Sequence, residues 1–287
     1  MSETKNIYNI TRHKIAVLIT SYNRCEKTFH CINKLFKILP TCSIYLVDDC
    51  STDNTVQTIS SHFPEVKIIY GNGNLFWNRG MHLAWEHANK FDYDFYLWLN
   101  DDIVLYENSI QEILECSILK NHQAIISGII ETENKDLIIY GGTDINNKLI
   151  CPNGQLQSIK NMNGNVVLVP KSVYLKLGNL DPVFHHDLGD VEYGYRAKEN
   201  NIEVLTSRIP VAYGYRNDLS RVRLNNSDII NRFRNLYSPL GANPFIILYF
   251  RKKYKGLFNA IVYFFFLHFI NLIPDKLNNL LFKTRYI

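Results

Sequence analysis

The sequence predicts an α/β protein with a nucleotide-binding crevice along one edge of its sheet. Three observations carry this. Over residues 14–102, short apolar runs alternate with segments of helical periodicity, the spacing of βαβ units with right-handed crossovers. Polar, reactive residues cluster just after each apolar run, where open α/β sheets bind ligands. Finally, the stretch D-F-Y-L-W-L-N-D-D (Asp94 to Asp102) is an apolar run of the doubly buried type that stops abruptly at Asn100-Asp101-Asp102.

The elements follow in order. Lys14 to Thr20 reads as a buried strand opening into Ser21-Tyr22-Asn23-Arg24. Phe29, Ile32, Leu35, Phe36 and Leu39 recur at helical spacing, and Pro40 ends that helix. A second strand, Ser43 to Val47, runs into the turn-rich D-D-C-S-T-D-N-T, then a helix over 54–62. A third strand, Val66 to Tyr70, is followed by G-N-G-N and a helix over 75–90. The strand ends 20–24, 48–53 and 71–80, with the N-D-D turn, should line one crevice. No Gly-x-Gly-x-x-Gly or Walker sequence is present. Adjacent carboxylates beside an amide oxygen suit a hard cation such as Mg²⁺ or Mn²⁺; a solvated turn is the plain alternative. Asp48 and Asp53 have a plain alternative too, capping the helix near residue 54.

The chain has 287 residues, 46% apolar and 20% charged, with a net charge of +4, too small to argue for nucleic acid. Six cysteines show no metal-ligand spacing and read as reduced, mostly buried thiols of a cytosolic protein. The N-terminal M-S-E-T-K-N has no apolar signal core.

The second half is less regular. A helix is expected over 109–119, short strands over 124–130, 137–140 and 165–169, and a helix from Pro170 to Leu177. Gly141, Gly142 and Gly164 mark places where backbone must turn or come close to a ligand. Then V-F-H-H-D-L-G-D-V-E-Y-G-Y-R-A places Asp190 and Glu192 just ahead of a helix carrying Tyr195 and Arg196. Helix capping alone would account for acids there. Residues 214–235 are polar and rich in arginine (216, 221, 223, 232, 234), either a mobile lid over a diphosphate or a solvated loop. From Leu257 to Ile273 the chain is strongly apolar, interrupted by Asn259, His268 and Asn271 and preceded by Arg251, Lys252, Lys253 and Lys255. At about 25 Å as a helix it falls short of a bilayer core. An in-plane membrane helix is expected, with packing on the protein's own core or in a homodimer as the alternative.

Together L-I-T-S-Y-N-R, V-D-D-C-S-T-D-N-T, G-N-G-N-L-F-W-N-R-G-M and L-W-L-N-D-D resemble family 2 glycosyltransferases over residues 14–256. The tail 238–256 is similar to one found in some capsule and O-antigen transferases, and the chain resembles the rhamnosyltransferase-like members of that group. The resemblance implies a GT-A fold, a Rossmann-like mixed sheet flanked by helices, with inverting transfer from a UDP- or dTDP-linked sugar and a divalent metal (Mn²⁺ or Mg²⁺). It implies that Thr20, Tyr22, Arg24, Asp48, Asn74, Arg79, Asn100, Asp101, Gly164 and Asn165 bind the nucleotide-sugar and that Asp102 ligates the metal. Asp190 would be the general base, Glu192 would orient the acceptor or pair with Arg196, and His186 would touch acceptor or metal. The chain departs from many relatives at V-A-Y-G-Y-R-N (from Val211), which lacks their metal-binding histidine. The expected organisation is a transferase domain over 1–236, with a nucleotide half (14–104) and an acceptor half (105–236), then a helical extension over 237–287. The expected acceptor is a saccharide or lipid-linked glycan, with the protein cytoplasmic and peripheral to the inner face of the cell membrane through 250–273. Two rival readings keep the fold: an inactive nucleotide- or glycan-binding partner of another transferase, and a sugar nucleotidyltransferase. The latter would want a Gly-rich basic loop, which T-S-Y-N-R is not.

Overall fold

In the computed structural model, residues 12–216 and 221–282 are described. The N-terminal M-S-E-T-K-N and residues 217–220 of the expected lid lie outside them. Strands β1 (Ile15–Ser21), β2 (Ser43–Asp48), β3 (Lys67–Tyr70) and β4 (Phe95–Leu99) alternate with helices α1 (Cys25–Ile38), α2 (Thr55–His62) and α3 (Phe76–Ala88). β1, β2 and β4 are near-continuous apolar runs because both sheet faces are covered there, while β3 at the sheet edge is only partly buried. Val17, Ile19, Leu97 and Leu99 enter one core cluster, while Ala16, Leu18, Tyr96 and Trp98 enter another. Each such aliphatic side chain contributes about 1.5–3 kcal/mol on burial.

β5 (Val104–Leu105), α4 (Ser109–Ile118), β6 (Ile125–Thr132), β7 (Ile138–Tyr140), β8 (Gly142–Thr143), β9 (Asn161–Met162) and β10 (Val166–Pro170) follow. After them come α5 (Lys171–Leu177), α6 (Gly189–Glu199) and β11 (Val204–Gly214). The main sheet runs β3-β2-β1-β4-β10-β6-β11-β5, with β7 on β6, while β8 and β9 pair separately. The first four strands are parallel, and β10 runs antiparallel to β4. Register sets Ser21 beside Asp48 and Asp48 beside Tyr70, so these strand ends stand level. Val166 opposite Leu99 sets Asn165 against Asn100. Gly80 lets α3 come close to β1: a Cβ there would lie 2.3 Å from Thr20 Oγ1.

Two sequence expectations need correction. Asp190 and Glu192 lie in the first turn of α6, not ahead of it, where the helix dipole favours acids. The cysteines are not mostly buried: Cys31 and Cys116 are, but Cys50 and Cys151 sit exposed on loops. Cys50 occupies a turn position with φ 68°, where its side chain stands outside the sheet.

Residues to Pro182 with Asp190–Arg216 form one compact unit, and Val183–Gly189 with the residues from 217 onward form a second. The second unit holds α7 (Ile229–Leu236), α8 (Pro244–Lys255), α9 (Leu257–Leu272) and α10 (Asp275–Phe282). Leu236, Leu267 and Ile270 form its small core. Asp228 caps α7 by accepting from Asn231 N–H, and Asn243 caps α8 ahead of Pro244. The lid expectation fails at two arginines. Arg223 and Arg232 are buried, donating to the carbonyls of Ile270 and Ile273 and to Asp275. Orphan carbonyls at a helix C-terminus attract guanidinium groups.

Candidate active site

The crevice is built where β1, β2 and β4 end. Arg24, at the start of α1, donates from Nη1 to Asp101 Oδ1 at 2.9 Å and to Asp102 Oδ2 at 3.0 Å. Thr28, one turn further on, donates to Asp101 Oδ2 at 3.0 Å. Asp101 is therefore buried with both oxygens engaged. Burial pushes its carboxyl up, Arg24 opposes that, and neighbouring Asp102 adds to it. Desolvation opposes the Arg24 charge, but the two carboxylates more than offset it and raise the group. Asp102 differs: its side chain is 35% exposed.

Asp48 is buried at the end of β2. Its Oδ2 accepts from Ser51 N–H at 3.0 Å, while its buried Oδ1 has no partner. A buried carboxylate oxygen left unpaired is costly, so a ligand donor fits there better than helix capping. Asp53 instead ties together the starts of α1 and α2, accepting from Cys25 N–H and Thr55 N–H, while Asn54 holds the N-cap position of α2. Against the upward push of desolvation, these bonds and the Thr55 hydroxyl lower its carboxyl. Asp49 gathers the loop before α3, accepting from Gly73, Leu75 and Phe76 N–H.

Across β4 lies a second cluster. Asn100 N–H donates to Asn165 O at 2.9 Å, and its Nδ2 donates to Asn165 Oδ1 at 2.5 Å. Trp77, from α3, donates through Nε1 to Asn100 Oδ1 at 2.7 Å. Gly164 N–H donates to Asp190 Oδ2 at 2.8 Å. The close approach at Gly164 is to Trp77: a Cβ there would meet that ring at 2.3 Å. Glu192 is fully buried and accepts from Arg196 Nη2 at 2.8 Å, while Arg196 Nη1 holds the carbonyls of Leu177 and Asn179. Ring contacts Trp77–Trp98, Trp85–Trp98 and Trp98–Tyr193 join α3, β4 and α6 into one aromatic block.

Of the other expected residues, Tyr22 is 55% exposed at the mouth. Thr20 sits under Gly80, and Asn74 is exposed on the loop before α3. Arg79 donates through Nε to Pro182 O at 2.8 Å. His186 falls in the second unit. Sequence reasoning missed Thr28, Asp49 and Trp77. Thr28 carried a signal, four residues after Arg24 and so on the same helix face; Asp49 and Trp77 lie within the stretches 48–53 and 71–80 expected at the crevice, but nothing local marks their roles.

For a divalent ion, Asp102 is the accessible carboxylate, since Asp101 is consumed by Arg24 and Thr28. Among the described residues no three His, Cys, Asp or Glu converge on a cation position. An ion at Asp102 would draw its other ligands from a substrate diphosphate and water, a usual arrangement for Mg²⁺. The residues fit such an ion and not a cage of protein ligands. A cavity of about 460 Å³ in the second unit, lined by Arg234, Asn235 and neighbours, contains none of the expected catalytic, nucleotide-sugar-binding or metal residues.

The sequence profile of glycosyl transferase family 2 matches residues 16–168. No curated protein matches the chain. Among solved structures, S. aureus TarS superposes with a TM-score of 0.55 at 13% identity, covering 94% of this chain and 45% of that one. The chain thus spans less than half the length of full TarS. TarS residues 1–349 give 0.54 at 12% identity, covering 95% and 75%. A mannosyltransferase from Pyrobaculum calidifontis, PcManGT, in complex with GDP-Man and Mn²⁺, gives 0.54 at 11% identity, covering 88% and 70%.

Proposed function

Because the chain belongs to glycosyl transferase family 2 and has the GT-A fold, we propose that it moves a sugar from a nucleotide-diphospho-sugar to a hydroxyl of a glycan or lipid-linked glycan, inverting the anomeric centre. The observation that carries this is the pairing of β10 with β4. It sets the Gly164–Asp190 hydrogen bond beside the turn that bears Asp102.

In this reading the nucleotide lies over the ends of β1 and β2. The free Oδ1 of Asp48 accepts from the base, with Thr20, Tyr22 and Asn74 around it. Arg24 and Arg79 face the phosphates, and Asn100, Gly164 and Asn165 form the floor beneath the sugar. Asp101 keeps Arg24 in place. Asp190 takes the acceptor hydroxyl's proton while that oxygen attacks C1. The bond from C1 to the diphosphate oxygen breaks, its electron pair leaving with the nucleoside diphosphate. Glu192 acts through Arg196, which ties the start of α6 to the 177–179 loop. A divalent ion at Asp102 would neutralise charge on the leaving diphosphate; PcManGT, of similar fold, holds Mn²⁺ with GDP-Man.

UDP- and dTDP-sugars are the donors proposed, and a growing surface polysaccharide at the cytoplasmic face of the membrane is the setting. Thermal-shift measurement against UDP-, dTDP-, GDP- and CMP-sugars with and without Mn²⁺, followed by product analysis, tests the reading. A stabilising donor that yields sugar transfer to an added glycan supports it. Stabilisation by a nucleoside triphosphate plus sugar phosphate, with pyrophosphate released, would replace it with a nucleotidyltransferase.

A further inference from the structure

The second unit carries an apolar surface that its own core leaves uncovered. α9 turns Ala260, Leu267, Ile270 and Asn271 inward. On its opposite side Phe258, Val262, Phe265, Phe269 and Leu272 are exposed, Phe258 by 83% and Phe265 by 66%. At 100° per residue these five fall within an arc of about 80°.

The polar residues that interrupt this stretch in the sequence do not interrupt the stripe. Asn271 Nδ2 donates inward to Val222 O at 3.0 Å, and His268 Nε2 meets the Tyr237 hydroxyl at 2.6 Å. Asn259 accepts from Arg251, whose guanidinium stacks 3.5 Å over Tyr263. The helix therefore shows its apolar side outward, an arrangement rarely left bare on a soluble monomer.

Charge selects the partner. Residues 221–282 contain nine Lys and Arg against two Asp. Lys252, Lys253 and Lys255 are exposed at the end of α8, immediately before Leu257 and Phe258. Two copies meeting through such a surface would bring like charges together. No described helix is long and apolar enough to cross a membrane.

We propose that this face seats on an anionic lipid bilayer. α9 lies in the plane of the surface, with Phe258, Phe265 and Phe269 at the acyl boundary and the three lysines among phosphate headgroups. Nothing in this depends on the donor chemistry, so binding is measured without nucleotide.

The test is flotation of the full chain with vesicles of neutral phosphatidylcholine or of phosphatidylcholine containing phosphatidylglycerol. The expected result is co-flotation with anionic vesicles only, weakened by high salt. Phe265→Glu with Phe269→Glu, and separately Lys252→Glu with Lys253→Glu and Lys255→Glu, should each lower the bound fraction about tenfold or more. Circular dichroism on each variant establishes that it is folded. Wild-type protein that fails to float with anionic vesicles overturns the proposal. So does wild-type protein that runs as a dimer dissociated by the phenylalanine variant, which would make the face a contact between copies.

Discussion

The backbone N–H of Gly164 and the carboxylate of Asp190 are joined at 2.8 Å, and the same glycine lies so close to the Trp77 ring that a Cβ there would meet it at 2.3 Å. From the bend just before β10, one residue thus holds the proposed base while making room for an indole that holds Asn100. Gly164→Ala should force the ring or Asp190 aside. A shift near 1 Å at a reacting group costs about a hundredfold in rate. Steady-state kinetics should show kcat falling by about that factor, with donor KM changed only a few-fold. Unchanged kcat would mean that the contact does not govern the base.

Asp190→Asn keeps an oxygen that can accept from Gly164 but cannot take a proton. Donor binding should persist by calorimetry while transfer drops about 10²–10⁴-fold. Near-normal turnover in this variant would move the base elsewhere.

Glu192 should behave differently, because it is fully buried and paired with Arg196. Breaking a buried pair by Glu192→Ala costs about 3 kcal/mol, seen as a lowered Tm. The kcat of protein that remains folded should fall less than in Asp190→Asn. A dead but fully stable variant would show that Glu192 itself meets the substrate.

Asp102→Asn should abolish metal-dependent strengthening of nucleotide binding and leave the fold intact, since its carboxylate is partly exposed. Titrations with Mn²⁺ and with EDTA decide this. Wild-type affinity indifferent to EDTA would remove the ion from the proposal.

Asp275 is the acid shared by Arg223 and Arg232. Desolvation pushes its carboxyl up, but these arginines and Asn226 N–H hold it below the ordinary value of 3.8. A depressed acid stabilises fully above its unfolded pKa and loses that contribution as pH falls through its folded one. Asp275→Asn should therefore lower Tm at pH 7, because two buried cations lose their partner. The gap to wild type should narrow as the pH falls below about 4. An equal gap at pH 3 and pH 7 would show that the charge is not the cause.

The strands and helices up to β4 were legible in the sequence because each is specified locally. Continuous apolar runs such as I-A-V-L-I need both faces covered, and Phe29, Ile32, Leu35 and Phe36 mark one side of α1. The position of the N-D-D turn at the strand end was legible for the same reason, since acids after such a run have nowhere to go but the strand end. The two-residue strands β5, β8 and β9 left no trace, being too short to show a period. They exist only because neighbouring strands offer them hydrogen bonds.

What each polar group does was settled by tertiary contact. Nothing in D-D says that Asp101 is buried under Arg24 from 77 positions away while Asp102 faces solvent. Arg223 and Arg232 read as phosphate binders in a basic loop, yet they meet helix carbonyls brought near by the fold. In α9 the sequence by itself determined an apolar helix too short to span a bilayer. Only packing decided which side faces out. Asn271 and His268 found partners inside the unit, so a run that reads as interrupted becomes an unbroken apolar stripe. Local pattern determines which elements form, because propensity and burial act along the chain. The partner of a charge or an amide is decided by register and packing between segments far apart in sequence, and no local pattern encodes that.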